Sequence, residues 1–186
     1  MRFTGGRNPF DHFPMKKSLP LWCALLVSAM CAQTPPALPP VNHDFDFWLG
    51  EWEVTTPDGK PAGQSRIEAM AGGHGLLENW EGAPPPGSPA GTNGSSGKSL
   101  NAYNPAKKQW QQFWVGGGGV LELAGGLVDG RMILAGSRVL PDGATLINRI
   151  TWTSNPDGSV RQHWEQSRDG GQTWTTVFDG HYTRKQ

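Results

Sequence analysis

Three Pro-Asp-Gly triplets constrain this chain more than any other feature: Pro57-Asp58-Gly59, Pro141-Asp142-Gly143 and Pro156-Asp157-Gly158. In each, proline presets φ, aspartate bonds its own backbone and glycine takes the left-handed position, so each reads as a tight turn. Each also separates runs that contain apolar residues, which is the setting of a β-hairpin. From Gly50 onward no amphipathic helix longer than a turn or two breaks the pattern. The runs predict strands at about 50–56, 63–70, 75–82, 98–104, 109–115, 119–124, 131–139, 145–154, 159–167 and 173–184. Ten short antiparallel strands in one domain predict an all-β fold, a single up-and-down β-barrel or a sandwich. The 26 glycines and 16 prolines, with only 17% charged residues, suit such a turn-rich domain better than a helical one.

The barrel is expected to occupy residues 43–186. Ahead of it, Gln33–Pro40 is proline-rich and reads as part of an extended spacer over 33–42. Residues 1–32 read as an upstream extension plus a secretory signal peptide. Met15-Lys16-Lys17 supplies the basic start, Leu19–Ala29 the apolar run, and small residues the cleavage zone after Ala29 or Ala32. The apolar run is too short for a transmembrane anchor. Residues 1–14 fit no targeting pattern, which makes Met15 the expected start of translation. Ser28-Ala29-Met30-Cys31 departs from a lipoprotein signal at Met30, so a lipid anchor on Cys31 is not expected. Both cysteines, Cys23 and Cys31, fall in this region. The exported chain then has no thiol for catalysis, disulfides or thiolate metal binding. A formal net charge of zero gives no sign of a nucleic-acid partner.

Within Asp44–Val54 the run Phe45-Asp46-Phe47-Trp48-Leu49-Gly50-Glu51-Trp52 reads as the plug and first strand of the barrel. This opening resembles that of a widespread, largely uncharacterised bacterial family of secreted, lipocalin-like (calycin-type) barrels. Trp110 to Trp114, Arg149-Ile150-Thr151-Trp152 and Tyr182-Thr183-Arg184 resemble its later landmarks. The likeness spans about 42–185 and implies a fold of the lipocalin or fatty-acid-binding-protein kind. It further implies that Trp52 lies at the barrel floor, packed against Arg184 from the last strand.

Charge pairing across the last hairpins sets the faces. If Ser154 faces Val160, Arg149 falls opposite Glu165. If Ser167 faces Thr173, Arg161 falls opposite Asp179. Both registers put Arg149, Arg161, His163, Glu165, Asp179 and His181 outside. Ile150, Trp152, Trp164, Trp174, Phe178 and Tyr182 then point inward, with Asn148, Gln162 and Gln166 among them. Strand 109–115 repeats this chemistry with Trp110, Gln112 and Trp114, and strand 75–82 offers Glu78 and Trp80 at matching parity. Indoles and carboxamides on one inner face suit either a tightly filled core or a pocket for a small apolar or flat ligand. The candidate ligand-binding residues are therefore Glu78, Trp80, Gln112, Trp114, Asn148, Gln162 and Trp164.

Other motifs carry less. Ser167-x-Asp169-x-Gly171-x-Thr173-Trp174 matches the Asp-box of propeller enzymes, but one copy in so short a domain reads as a hairpin device. Gly116–Gly119 precedes no helix and no Lys-Ser/Thr, so it is not a phosphate cradle. Ala83–Gly97 reads as a flap. His163-x-Glu165 offers only two potential metal ligands beside arginines, and no metal or other cofactor is expected. No serine sits on a nucleophile elbow, and no catalytic residue is assigned. The expected function is a secreted or periplasmic barrel binding a small hydrophobic or aromatic molecule. Two other readings are a haem-dependent barrel enzyme of the nitrobindin kind and a structural or interaction module with a filled interior.

Overall fold

The computed structural model describes residues 39–186. The upstream extension, the signal-peptide reading, both cysteines and most of the spacer lie outside the described residues. Ten strands follow one another: β1 (Gly50–Thr55), β2 (Pro61–Met70), β3 (Gly75–Gly82), β4 (Ser96–Asn104), β5 (Gln109–Gly116), β6 (Gly119–Val128), β7 (Arg131–Val139), β8 (Thr145–Ser154), β9 (Val160–Ser167) and β10 (Thr175–Arg184). Each pairs antiparallel with the next, and β10 returns to β1, where Arg184 faces Trp52 and Tyr182 faces Val54. The fold is thus a closed ten-stranded up-and-down barrel, and the sandwich alternative falls away because no sheet edge is left open. Strand β6 runs on to Val128, beyond the expected end at 124, because Gly125 and Gly126 still pair with Leu134 and Ile133 on β7.

One end of the barrel is closed by the segment ahead of β1. A single 3₁₀ turn, Asp46–Trp48, carries the fully buried Phe45 and Trp48 inward. The two rings stack with centroids 5.1 Å apart, and Phe45 meets Trp152 and Trp110 edge-on at 5.1 and 5.6 Å. Outside this cluster, Asn42 Oδ1 accepts the Trp110 Nε1–H at 3.1 Å, so the plug is tied to β5 from its first residues. Trp52 donates its indole N–H to the Trp48 carbonyl at 2.9 Å. The Arg184 guanidinium covers the Trp52 ring at 4.4 Å and donates to the Leu49 carbonyl at 3.0 Å. Gly50 (φ +132°) makes this possible, since a Cβ there would lie 2.4 Å from an Arg184 nitrogen. The buried indole N–H groups of Trp48 and Trp152 find no partner among the described residues. The plug tolerates them at about 1–3 kcal/mol each because so much aromatic surface is removed from water around them.

The outer face carries the expected ion pairs, with a change of register. Arg149 faces Glu165 and bonds it at 3.0 and 3.3 Å. Arg161 and Asp179 bond in bidentate fashion at 2.7 and 2.8 Å, but diagonally: the residue directly opposite Asp179 is His163. Two single-residue offsets cause this: the turn brings Thr175 opposite Gln166, one residue off the expected register, and a register shift between Thr176 and Phe178, one extra residue in β10, adds the second. The same bulge reverses the parity of what precedes it. Trp174 therefore does not join the inner face; it lies outside, with the Arg149 guanidinium 3.8 Å over its ring. The Ser167–Trp174 turn is closed on itself. Asp169 accepts from the Gln172 and Thr173 amides at 2.9 Å each and from the Ser167 and Thr173 hydroxyls, which holds its carboxyl well below the usual range.

Candidate functional site

Away from the aromatic plug, the barrel interior holds a cavity of about 360 Å³. Six of the seven candidate residues line it: Glu78 and Trp80 from β3, Gln112 and Trp114 from β5, and Gln162 and Trp164 from β9. The seventh, Asn148 on β8, does not. Its Oδ1 accepts the Trp164 indole N–H at 3.0 Å and the Gln166 amide at 2.9 Å, so it holds the wall rather than forming it. Tyr182, Phe178 and Ile150 complete the apolar side, and the exposed Ser95 and Val177 mark where the cavity meets solvent.

The space exists because large rings lie flat against the wall. A Cβ on Gly97 of β4 would sit 2.2 Å from the Trp114 ring, and one on Gly180 of β10 would sit 2.5 Å from the Phe178 ring. Glycine at those two places lets the Trp114 ring lie across the neighbouring strand β4 and the Phe178 ring lie back along its own strand β10, instead of filling the lumen.

Glu78 is the polar centre. Its side chain is buried and no cation accompanies it among the described residues; Ser99 donates to Oε2 at 2.8 Å and Ser65 to Oε1 at 3.1 Å. Burial pushes its carboxyl up to about 7, against the opposing pull of those two hydroxyls. The order of strands builds a longer chain behind it. Gln112 faces Asn101 across β5–β4, and Ser99 faces Glu78 across β4–β3. Gln112 Nε2 donates to Asn101 Oδ1 at 2.8 Å, and Asn101 Nδ2 donates to Ser99 Oγ at 2.9 Å. On the other wall the Tyr182 hydroxyl donates to Gln162 Oε1. Burial, and then the nearby Glu78, raise the Tyr182 phenol well above its ordinary value.

Sequence reasoning missed Ser65, Ser99 and Asn101, all buried. Ser99-Leu100-Asn101 reads naturally as polar-out, apolar-in, yet Leu100 is 44% exposed and the two polar residues are fully enclosed. The signal that was present is the even spacing of Glu78 and Gln112 on the flanking strands, which asks for hydrogen-bonding partners between them.

Of the histidines on strands, His163 stands beside Glu165 and Thr176 on the outer face, and His181 is exposed outside. Neither lines the cavity. Haemin added to the protein is therefore expected to give no ligated Soret band. A stoichiometric Soret shift abolished by His163→Ala or His181→Ala would overturn this placement of the two residues.

Fold and cavity together define the class: a closed, plugged antiparallel β-barrel whose interior has room for a small molecule. No protein-family model matches the chain, and no curated protein matches it either.

Proposed function

We propose that this protein is an exported, secreted or periplasmic barrel that binds a small hydrophobic or aromatic molecule inside its lumen. The observation that carries the reading is the cavity itself, about 360 Å³, bounded by three indoles and by the hydrogen-bonding side chains of Glu78, Ser95, Gln112, Gln162 and Tyr182. That size falls toward the lower end of ligand pockets, roughly 300–1,000 Å³, and so does its mix of apolar wall and few polar groups. The basic and apolar sequence from Met15 to Ala29 supports export, and the likeness of the opening to secreted lipocalin-like barrels supports both parts. No described helix is long and apolar enough to cross a membrane.

Binding separates this reading from a filled scaffold. Gln162 uses its carbonyl oxygen for Tyr182, which leaves its amide hydrogens for the cavity. 2-Naphthol, whose absorption overlaps tryptophan emission, is expected to quench the protein's fluorescence saturably. Gln162→Leu is expected to weaken that binding about tenfold, the value of one net hydrogen bond at 1.4 kcal/mol per decade. If neither 2-naphthol nor other small aromatic probes bind the wild-type protein, the scaffold reading replaces this one.

A further inference from the structure

We propose that the cavity takes a small aromatic amine in its protonated form, with Glu78 as counter-ion; this rests on the binding reading above and names its ligand class. The hydrogen-bond chain behind Glu78 has a direction. Asn101 Nδ2 is held by two acceptors, Ser99 Oγ at 2.9 Å and the Leu76 carbonyl at 3.4 Å, which turns its Oδ1 toward Gln112. Because Ser99 Oγ already accepts, its own proton goes to Glu78 Oε2. Every link from Gln112 through Asn101 and Ser99 thus donates toward the carboxyl, the arrangement that stabilises an anion.

Among the described residues no positive charge matches the Glu78 carboxyl. Elsewhere, carboxylates far less enclosed have arginine partners: Glu165 has Arg149 and Asp179 has Arg161. Glu78 has none, and no residue lining the cavity is lysine, arginine or histidine. A buried carboxylate without a cation is costly, and a ligand cation would remove that cost. An anionic ligand would instead place a second negative charge in the same enclosed space. The rest of the wall suits a cation as well. Trp80 meets Phe178 at 5.8 Å and Tyr182 at 6.4 Å between ring centroids, and Trp114 and Trp164 line the same cavity. Aromatic faces attract cations, and most strongly where water is excluded.

The raised carboxyl of Glu78 gives the site a pH signature. Its neighbours on β2 and β4 are Ser65, Ile67, Ser99 and Asn101, so Tyr182 of β10 is the titratable group that faces it among the described residues. Calorimetry at pH 8 with 2-phenylethylamine, 2-phenylethanol and phenylacetate tests the proposal. The amine is expected to bind at least tenfold tighter than the alcohol, with phenylacetate weakest. Glu78→Gln is expected to bring the amine to within about twofold of the alcohol. In the wild-type protein the amine's advantage is expected to shrink as pH falls from 8 to 5 and Glu78 takes up a proton. That second measurement decides the matter if the variant does not fold. Equal binding of amine and alcohol, or a preference that survives Glu78→Gln or is indifferent to pH, overturns the amine proposal and leaves the cavity reading standing. If none of the three compounds nor 2-naphthol binds, both fall.

Discussion

Trp52→Ala is expected to lower the free energy of unfolding by about 3–5 kcal/mol, the range for truncating a large buried aromatic residue. Trp52 is fully buried, donates to the Trp48 carbonyl at 2.9 Å, packs edge-on to Tyr182 at 6.3 Å and lies beneath the Arg184 guanidinium. Its removal opens a cavity at the floor, leaves the Trp48 carbonyl without its indole partner and uncovers Arg184. Small domains are stable by about 5–15 kcal/mol in all, so this one change consumes a large fraction. Arg184→Met, which keeps the apolar stem and loses the charge over the ring, is expected to cost nearer 1 kcal/mol. Urea denaturation followed by far-ultraviolet circular dichroism measures both without depending on tryptophan emission. A Trp52→Ala loss below about 1 kcal/mol would mean that the floor is held by the Phe45–Trp48 stack alone.

Glu78→Gln is expected to make the protein more stable than wild type at pH 8, and to flatten its pH profile between 5 and 8. The Glu78 carboxyl holds its proton up to about pH 7 in the fold, against an ordinary value of 4.5. Folding therefore favours the protonated form. The stability this contributes is complete below about pH 4.5 and is lost as pH rises through about 7. At 1.36 kcal/mol per pKa unit the loss is on the order of 3 kcal/mol. Glutamine has the same shape and can both accept from and donate to Ser65 and Ser99, so the variant keeps the packing and removes the titration. Tyr182 ionises far above this window. Asp58, Asp157, Asp169 and Asp179 are displaced the other way by hydrogen bonds from their neighbours, so their contributions are lost only as pH falls below the ordinary carboxylate range. The difference between wild-type and Glu78→Gln stability, measured from pH 5 to 8, isolates Glu78. A wild-type profile parallel to that of the variant would show that the carboxyl is already ionised across the range.

The architecture was legible in the chain because its signals are local. A Pro-Asp-Gly triplet makes its turn whatever surrounds it, and the turns at 57–59, 141–143 and 156–158 all close hairpins. Side-chain alternation then carries inward-facing residues along each strand, which is why Ile150, Trp152 and Trp164 were placeable from Arg149 and Glu165. What escaped depends on neighbours distant in sequence. The extra residue near Val177 moved Trp174 outside, since a bulge reverses parity without leaving a turn signal. Ser99 and Asn101 turned inward, and Leu100 outward, because Glu78 on one side and Gln112 on the other need partners across the sheet. Residue by residue, the sequence determined turns, strand alternation and an aromatic-rich interior, all consequences of backbone preference and period. Whether that interior is filled or open was decided only in three dimensions, where the Trp114 and Phe178 rings lie flat over Gly97 and Gly180 and leave the lumen unoccupied beside a buried carboxyl.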